Sequence, residues 1–214
     1  MYRPSFYDVG DVFVGGEWCA SEWLNCSAYV QLLDGDTGAT IWVKDFGPQM
    51  TRAAGTVAKN DMYYVSGGFS GDMSVDNLTL TEQTAMDAVT IVLDSDAVAQ
   101  RAVMIAGQAD AGVQWRESNY VEVADDALSV LCYTNCREVR TTASTQTAMF
   151  EGSHGEGVAK ISLAGVPLWA ADVPTGWSMV VTSDAVYLST PWAGPITFGD
   201  TTFTDWGMGD TYVA

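Results

Sequence analysis

The sequence predicts an all-β chain built on a repeated unit. Three observations predict it: a composition rich in rings and glycines, apolar alternation of period two, and two short patterns that alternate along the chain. Eight Trp, nine Tyr and seven Phe suit pleated, half-buried surfaces, and 21 Gly supply the turns such a fold needs. At 214 residues and 48% hydrophobic content the chain has enough apolar surface for one ordinary core.

The first pattern is a strand closed by a tight turn. It opens as Asp11-Val12-Phe13-Val14-Gly15-Gly16, and returns as Asp61-Met62-Tyr63-Tyr64-Val65-Ser66-Gly67-Gly68-Phe69-Ser70-Gly71. Later copies are Asp126-Ala127-Leu128-Ser129-Val130-Leu131-Cys132 and Asp184-Ala185-Val186-Tyr187-Leu188-Ser189-Thr190. The second pattern is an apolar strand, a turn and a further strand, as in Ala28-Tyr29-Val30-Gln31-Leu32-Leu33-Asp34 running on to Trp42. Its relatives begin at Asp87, at Gly157 and, for a single strand, at Asp210. Short strands precede each first pattern (Gly55-Thr56-Val57-Ala58, Val121-Glu122-Val123, Met179-Val180-Val181), and others lie between the patterns, around Asp76-Asn77 and Gly199-Asp200. The Ala- and Val-rich stretch 97–106 is the one helix candidate, but its place in the repeat assigns it to a hairpin. The units run 11–60, 61–125, 126–183 and 184–214 within a single domain, 1–214. Three and a half four-stranded antiparallel units at this spacing predict a partial β-propeller.

These residues resemble the SBBP-type propeller repeats. Tyr64-Val65-Ser66-Gly67-Gly68-Phe69-Ser70-Gly71, Val158-Ala159-Lys160-Ile161 with Trp169, and Ile196-Thr197-Phe198-Gly199-Asp200 carry the likeness. The turn Asp34-Gly35-Asp36-Thr37-Gly38-Ala39-Thr40-Ile41-Trp42 is similar to the tryptophan-docking turn of the quinoprotein-dehydrogenase propellers. Gly165 and Trp169 keep its spacing, while Val98 and Ala102 take the corresponding places in the middle copy. The resemblance implies that Trp42 and Trp169 pack between adjacent units in like surroundings. It implies architecture rather than activity: the adjacent Cys-Cys pair of the quinoprotein enzymes has no counterpart, since Cys132 and Cys136 are separated by three residues. Propellers of these families have more units than this chain supplies, so the expectation is a fragment, with further blades or a second copy closing the ring.

Charge narrows the partners. Twenty-seven acidic against nine basic residues give a net charge of −18, with Lys44, Lys59 and Lys160 the only lysines. Such a chain lacks the basic patches that nucleic acid and anionic membranes require. No apolar run approaches the roughly 20 residues of a membrane span. The opening Met1-Tyr2-Arg3-Pro4-Ser5-Phe6 lacks the apolar segment of a secretory signal, whereas the cysteines argue for an oxidising compartment. Cys19/Cys26 and Cys132/Cys136 read as two local disulfides, with buried thiols or a shared metal site as the alternatives. Asn25-Cys26-Ser27 and Asn77-Leu78-Thr79 match the glycosylation sequon. An extracellular or surface location follows as the expectation.

Chemistry-bearing candidates are few. Asp34 and Asp36, and Asp94 and Asp96, fall at matching turns and are calcium candidates, although aspartate is common in turns because it bonds its own backbone. His154, the single histidine, lies between Glu151 and Glu156 on a glycine-rich loop and reads as a solvated side chain. Trp18 and Trp192, with Trp23 and Trp206, are candidates for stacking on a ligand, set against packing between units. No cofactor other than calcium is implied. The expected function is a non-enzymatic extracellular repeat module that binds protein or glycan or serves as a surface scaffold; the alternative is a fragment of a propeller enzyme, an oxidoreductase or hydrolase whose catalytic residues lie elsewhere.

Overall fold

The computed structural model describes residues 5–6, 10–21, 24–83, 87–107, 118–132, 136–150, 156–173, 178–182, 184–192, 196–198, 201–204 and 210–213. These residues contain strands and turns and no helix. Strands β1 (Ser5–Phe6), β2 (Val12–Ser21), β3 (Leu24–Leu33) and β4 (Thr40–Asp45) form one antiparallel sheet in chain order. Next come β5 (Met50–Lys59), β6 (Met62–Phe69), the small hairpin β7 (Met73–Val75) and β8 (Leu78–Leu80), then β9 (Asp87–Leu93) and β10 (Ala99–Gly107). They are followed by β11 (Ser118–Val123), β12 (Ala127–Cys132), β13 (Cys136–Thr141), β14 (Ser144–Met149), β15 (Glu156–Ser162) and β16 (Pro167–Val173). The chain ends with β17 (Ser178–Val181), β18 (Val186–Trp192), the hairpin β19 (Ile196–Phe198) and β20 (Thr201–Phe203), and β21 (Asp210–Val213). The stretch read from sequence as a hairpin partner rather than a helix is strand β10, paired with β9.

Four sheets result. The first holds β1 to β4, the third has the order β11-β12-β15-β16, and the fourth β17-β18-β21. The second has the order β14-β13-β10-β9-β6-β5, so it carries a hairpin that belongs, by sequence position, to the third. Each sheet opens on the short strand that precedes a first pattern, one strand earlier than the unit boundaries at 61, 126 and 184.

The central strands of the second and third sheets are apolar on both faces because each of these two sheets is covered on both sides. Tyr63 and Val65 of β6, with Val89, Ile91 and Leu93 of β9, join Phe13, Val30 and Leu32 in a layer between the first and second sheets. Tyr64, Ala88 and Val92 point the other way, into a layer with Leu128, Val130, Ala159 and Ile161 of the third. Leu131 and Val158 leave the third sheet in turn to meet Met179 and Leu188. Period-two alternation therefore sorts one strand's side chains between two cores.

Three turns share one construction. Backbone bonds close Asp34 to Ala39, Asp94 to Val98 and Ser162 to Val166, and the residue before each closure has positive φ: Gly38 (68°), Ala97 (60°) and Gly165 (84°). Glycine tolerates that conformation without the strain a Cβ brings. The structural equivalent of Gly38 and Gly165 in the middle copy is thus Ala97, not Val98, and the residue four further on is Arg101, not Ala102. The alignment by spacing was one residue out because alanine in the left-handed region conceals the turn.

The hairpin β13–β14 locks the second sheet to the third. Its first strand pairs with β10 from Val103↔Thr141 to Gly107↔Cys136, and the Thr142 N–H donates to the Ala102 carbonyl while the Thr142 hydroxyl accepts the Ala102 N–H. On its other side, the Thr141 hydroxyl donates to the Gly165 carbonyl. Phe150 lies where a side chain on Gly157 would collide with it, at 2.2 Å from an added Cβ. The Cys132–Cys136 disulfide joins the end of β12 to the start of β13, at the point where the chain leaves one sheet for the other. Both cysteines are buried in the intervening core. Cys19 stands directly opposite Cys26 in the β2–β3 register; their side chains lie outside the described residues.

Every lysine is engaged with an aspartate. Lys59 of β5 bonds Asp125 ahead of β12 at 2.8 Å, and Lys160 stands 3.6 Å from Asp126. Lys44 of β4 meets both oxygens of Asp76, at 2.6 and 2.7 Å, at the tip of the β7–β8 hairpin. Asp76 also accepts the Ala99 N–H at 2.7 Å. Partial burial raises the Asp76 pKa, but the Lys44 and Ala99 bonds outweigh it and hold the carboxyl below its ordinary range.

Two outcomes follow for stability. Replacing Cys132 and Cys136 by alanine frees a small loop and is expected to cost about 2 kcal/mol on the chain-entropy estimate; a urea midpoint identical to wild type would show that the β13–β14 lock holds without the staple. Asp76→Asn removes a charge-assisted tie worth about 1–2 kcal/mol. Because the folded pKa is depressed, the wild-type advantage is complete above the ordinary aspartate value and disappears as pH falls through the lowered one. Urea titrations of the two proteins should therefore converge in strong acid; a constant gap down to that pH would exclude the ionised carboxylate as its source.

Candidate functional site

The Trp-bearing positions define a row across each of the first three sheets. Directly opposed residues on neighbouring strands share a face, with Cβ atoms about 4.5–5.5 Å apart. In the first sheet the row is Ser5, Phe13, Leu32, Trp42, and in the second Val57, Tyr64, Val92, Arg101. In the third it is Glu122, Ser129, Lys160, Trp169. Each reaches its last residue across a bulge, beside Leu33, Ala99 or Ile161, so Trp42, Arg101 and Trp169 are equivalent.

Equivalent register does not give equivalent surroundings. Trp42 packs edge-on against Phe13 (5.8 Å between centroids) and Tyr63 of the second sheet (5.2 Å), with Phe13 and Tyr63 5.0 Å apart. Tyr63 is the wedge that fills the gap between sheets, and Trp42 Nε1 is buried there with no hydrogen-bond partner. Trp169, expected to pack likewise, is instead 39% exposed. Three substitutions explain the difference. The place of Tyr63 in its strand is taken by Val186 in β18, which is too short to wedge, and Phe13 and Leu32 are replaced by Ser129 and Lys160.

The third row is therefore polar where the first is a core. Ser129 is fully buried, and its hydroxyl has no hydrogen-bond partner. On one side of it stands Glu122, half-buried, whose pKa burial raises. On the other is Lys160, whose side chain is 15% exposed and faces Asp126. A carboxyl, a hydroxyl, an ammonium and an open indole thus line one strip. Sequence reasoning singled out Trp169 in this strip but missed Glu122, Ser129 and Lys160, because the alternation that marks them is the same in a strand that is buried throughout.

A concavity of about 230 Å³ lies between the β7–β8 hairpin and β13, lined by Thr79, Gln83, Asp87, Met104 and Arg140 among others. Asp87, 1% exposed, accepts the Gln83 N–H at 2.7 Å, and acidic residues recur where the matching strands open, at Glu156 and Asp210. In β9 this carboxylate ties down the segment that precedes the strand. Glu138 bonds Arg140 and, with the charge of Asp87 beyond it, holds the guanidinium in its charged form.

The calcium candidates serve their own turns. Asp34 Oδ1 accepts from the Thr37 hydroxyl at 2.6 Å and its N–H at 2.7 Å, which lowers its pKa. Asp94 accepts the Asp96 and Val98 N–H groups and, through its second oxygen, Gln100 Nε2. Asp36 and Asp96 sit at the same exposed turns, and among the described residues no three His, Cys, Asp or Glu groups are placed to share a metal. The side chains of Trp18 and Trp192, together with Trp23, Trp206 and His154, lie outside the described residues. Compared with protein-family models and with curated proteins, the chain matches none.

Glu122→Gln tests the row energetically. The raised pKa means that the folded state holds a proton the unfolded chain has lost, so stability falls as pH rises from the ordinary glutamate value through the raised one. The variant is expected to melt higher than wild type at neutral pH and to lose that part of the pH dependence. A lower melting temperature at neutral pH would show that the carboxylate has a stabilising partner instead.

Proposed function

We propose that the chain is an extracellular β-propeller-type module, akin to the SBBP-type repeats, that binds a ligand rather than transforming one. The observation that carries this reading is the contact order of the sheet-opening strands. β1 neighbours β5, β5 neighbours β11, and β11 neighbours β17, so the strand that opens each sheet lies against the one that opens the next. Radial blades have this geometry. The Cys132–Cys136 disulfide and the opposed Cys19 and Cys26 favour an oxidising compartment. No helix among the described residues is long and apolar enough to cross a membrane. The internal use of all three lysines leaves a strongly acidic exterior, which disfavours phosphate-rich partners.

Binding is tested on the intact chain with glycan and extracellular-protein arrays, each hit followed by thermal shift. Saturable binding that raises the melting temperature, with no product formed, is the expected result. Reproducible turnover of an oxidoreductase or hydrolase substrate by protein lacking contaminating activity would overturn the proposal.

A further inference from the structure

We infer that the row Glu122, Ser129, Lys160 and Trp169 is a saccharide-binding strip, one ring of a neutral saccharide stacking on the indole while the hydroxyls of that ring and the next meet the polar side chains. This rests on reading the chain as a binding module and assigns that module its site.

The case begins with a departure from the repeat. At the same register the first sheet closes with Phe13, Leu32, Trp42 and the incoming Tyr63, a group of rings that needs no ligand. The second places Arg101 there, its guanidinium bonded to Tyr64, with its side chain near Gly165 of the adjoining turn. Only the third, of the three, ends in an indole that no ring wedges against among the described residues, and it is 39% exposed. Beside it Leu168, the extra residue of the bulge, is 52% exposed, so the rim around the indole is open.

Ser129 supplies an independent observation. Its hydroxyl is buried and unbonded, one strand from Lys160 and one from Glu122. An unsatisfied buried polar group costs stability, and a packed alanine or valine would avoid the cost. Burial also works against the charge of Glu122. Two polar groups retained at a loss in the row that ends at an open indole mark a strip shaped for something other than packing.

The chemistry of the strip selects the ligand class. An indole face accepts the C–H face of a pyranose, and its amphipathic ring suits a contact that is apolar on one side and wet on the other. Lys160 donates, while Asp126, at 3.6 Å from it, and Glu122 accept, so adjacent hydroxyls can each find a partner of the right sense. The strand spacing of about 4.8 Å places successive groups of the row roughly one sugar ring apart, so the strip as a whole suits a short oligosaccharide rather than a single ring. A phosphorylated or acidic sugar is disfavoured, because carboxylates outnumber the one ammonium here and the chain carries −18 overall.

The experiment titrates the intact chain with glucose, galactose, mannose, N-acetylglucosamine and their short oligomers, read by tryptophan fluorescence and saturation-transfer NMR. At least one should bind, with Trp169→Ala weakening it tenfold or more and Trp169→Phe retaining most of the affinity. Ser129→Ala should melt at or above the wild-type temperature yet bind more weakly, which a purely structural serine would not do. Silence across the panel, binding untouched by Trp169→Ala, or a preference for tetramethylammonium at Trp169 would each overturn the saccharide assignment. A protein ligand that survives Trp169→Ala would sink this site while leaving the binding-module reading standing; turnover would sink that reading as well.

Discussion

The whole structure depends on strands that are buried on both faces. In most sheets a polar face fixes the register, since a slip by one residue would turn the apolar set toward water. β6 and β9 have no such guide, because every side chain from Tyr63 to Phe69 and from Asp87 to Leu93 is buried. The key is instead polar and internal. Ser66 and Thr90 stand opposite each other and share a hydrogen bond of 2.6 Å. A one-residue slip would strand both hydroxyls in an apolar layer, at about 1–3 kcal/mol each. Two small polar residues thus specify what the hydrophobic pattern leaves open.

Sheets stacked in this way bring an acidic chain close to itself. The cations answer that problem by their placement. Lys44 reaches from the first sheet to the hairpin at Asp76, and Lys59 from the second sheet to Asp125 of the third. Neither links residues of a single sheet, so each holds a junction. Between the second and third sheets a hairpin and a disulfide are added, and Gly157 and Gly165 leave room for the hairpin's side chains. Packing and charge therefore act at the same boundaries.

Much of this was legible in the residues. Period-two alternation and the paired patterns located the central strands, because those strands obey one local rule. What escaped notice was anything depending on a neighbour in space. β13 and β14 read as ordinary strands of their own unit, since nothing in Cys136–Thr141 states that its partner is β10. Ala97 hid a turn that Gly38 and Gly165 announce, and that single residue moved the alignment from Arg101 to Ala102. Trp169 was found by its spacing, but its exposure is decided by Val186 and Ser129, which spacing does not reach.

That last case carries the general point about repeats. One register position holds an interlocked ring cluster in the first sheet, a tyrosine-bonded arginine beside the locking hairpin in the second, and an open indole beside a polar strip in the third. The backbone demands of the position are met in all three, since the bulge and the positive-φ turn persist. Side-chain identity is therefore free of the fold's geometry there, and constrained only by what lies against it. Where a following sheet supplies a wedge, selection acts on packing. Where it supplies only Val186, the same position is released from packing, and groups that a core would reject become affordable. A repeat fold can in this way acquire a site without new architecture, by letting one copy lapse from the rule its siblings keep.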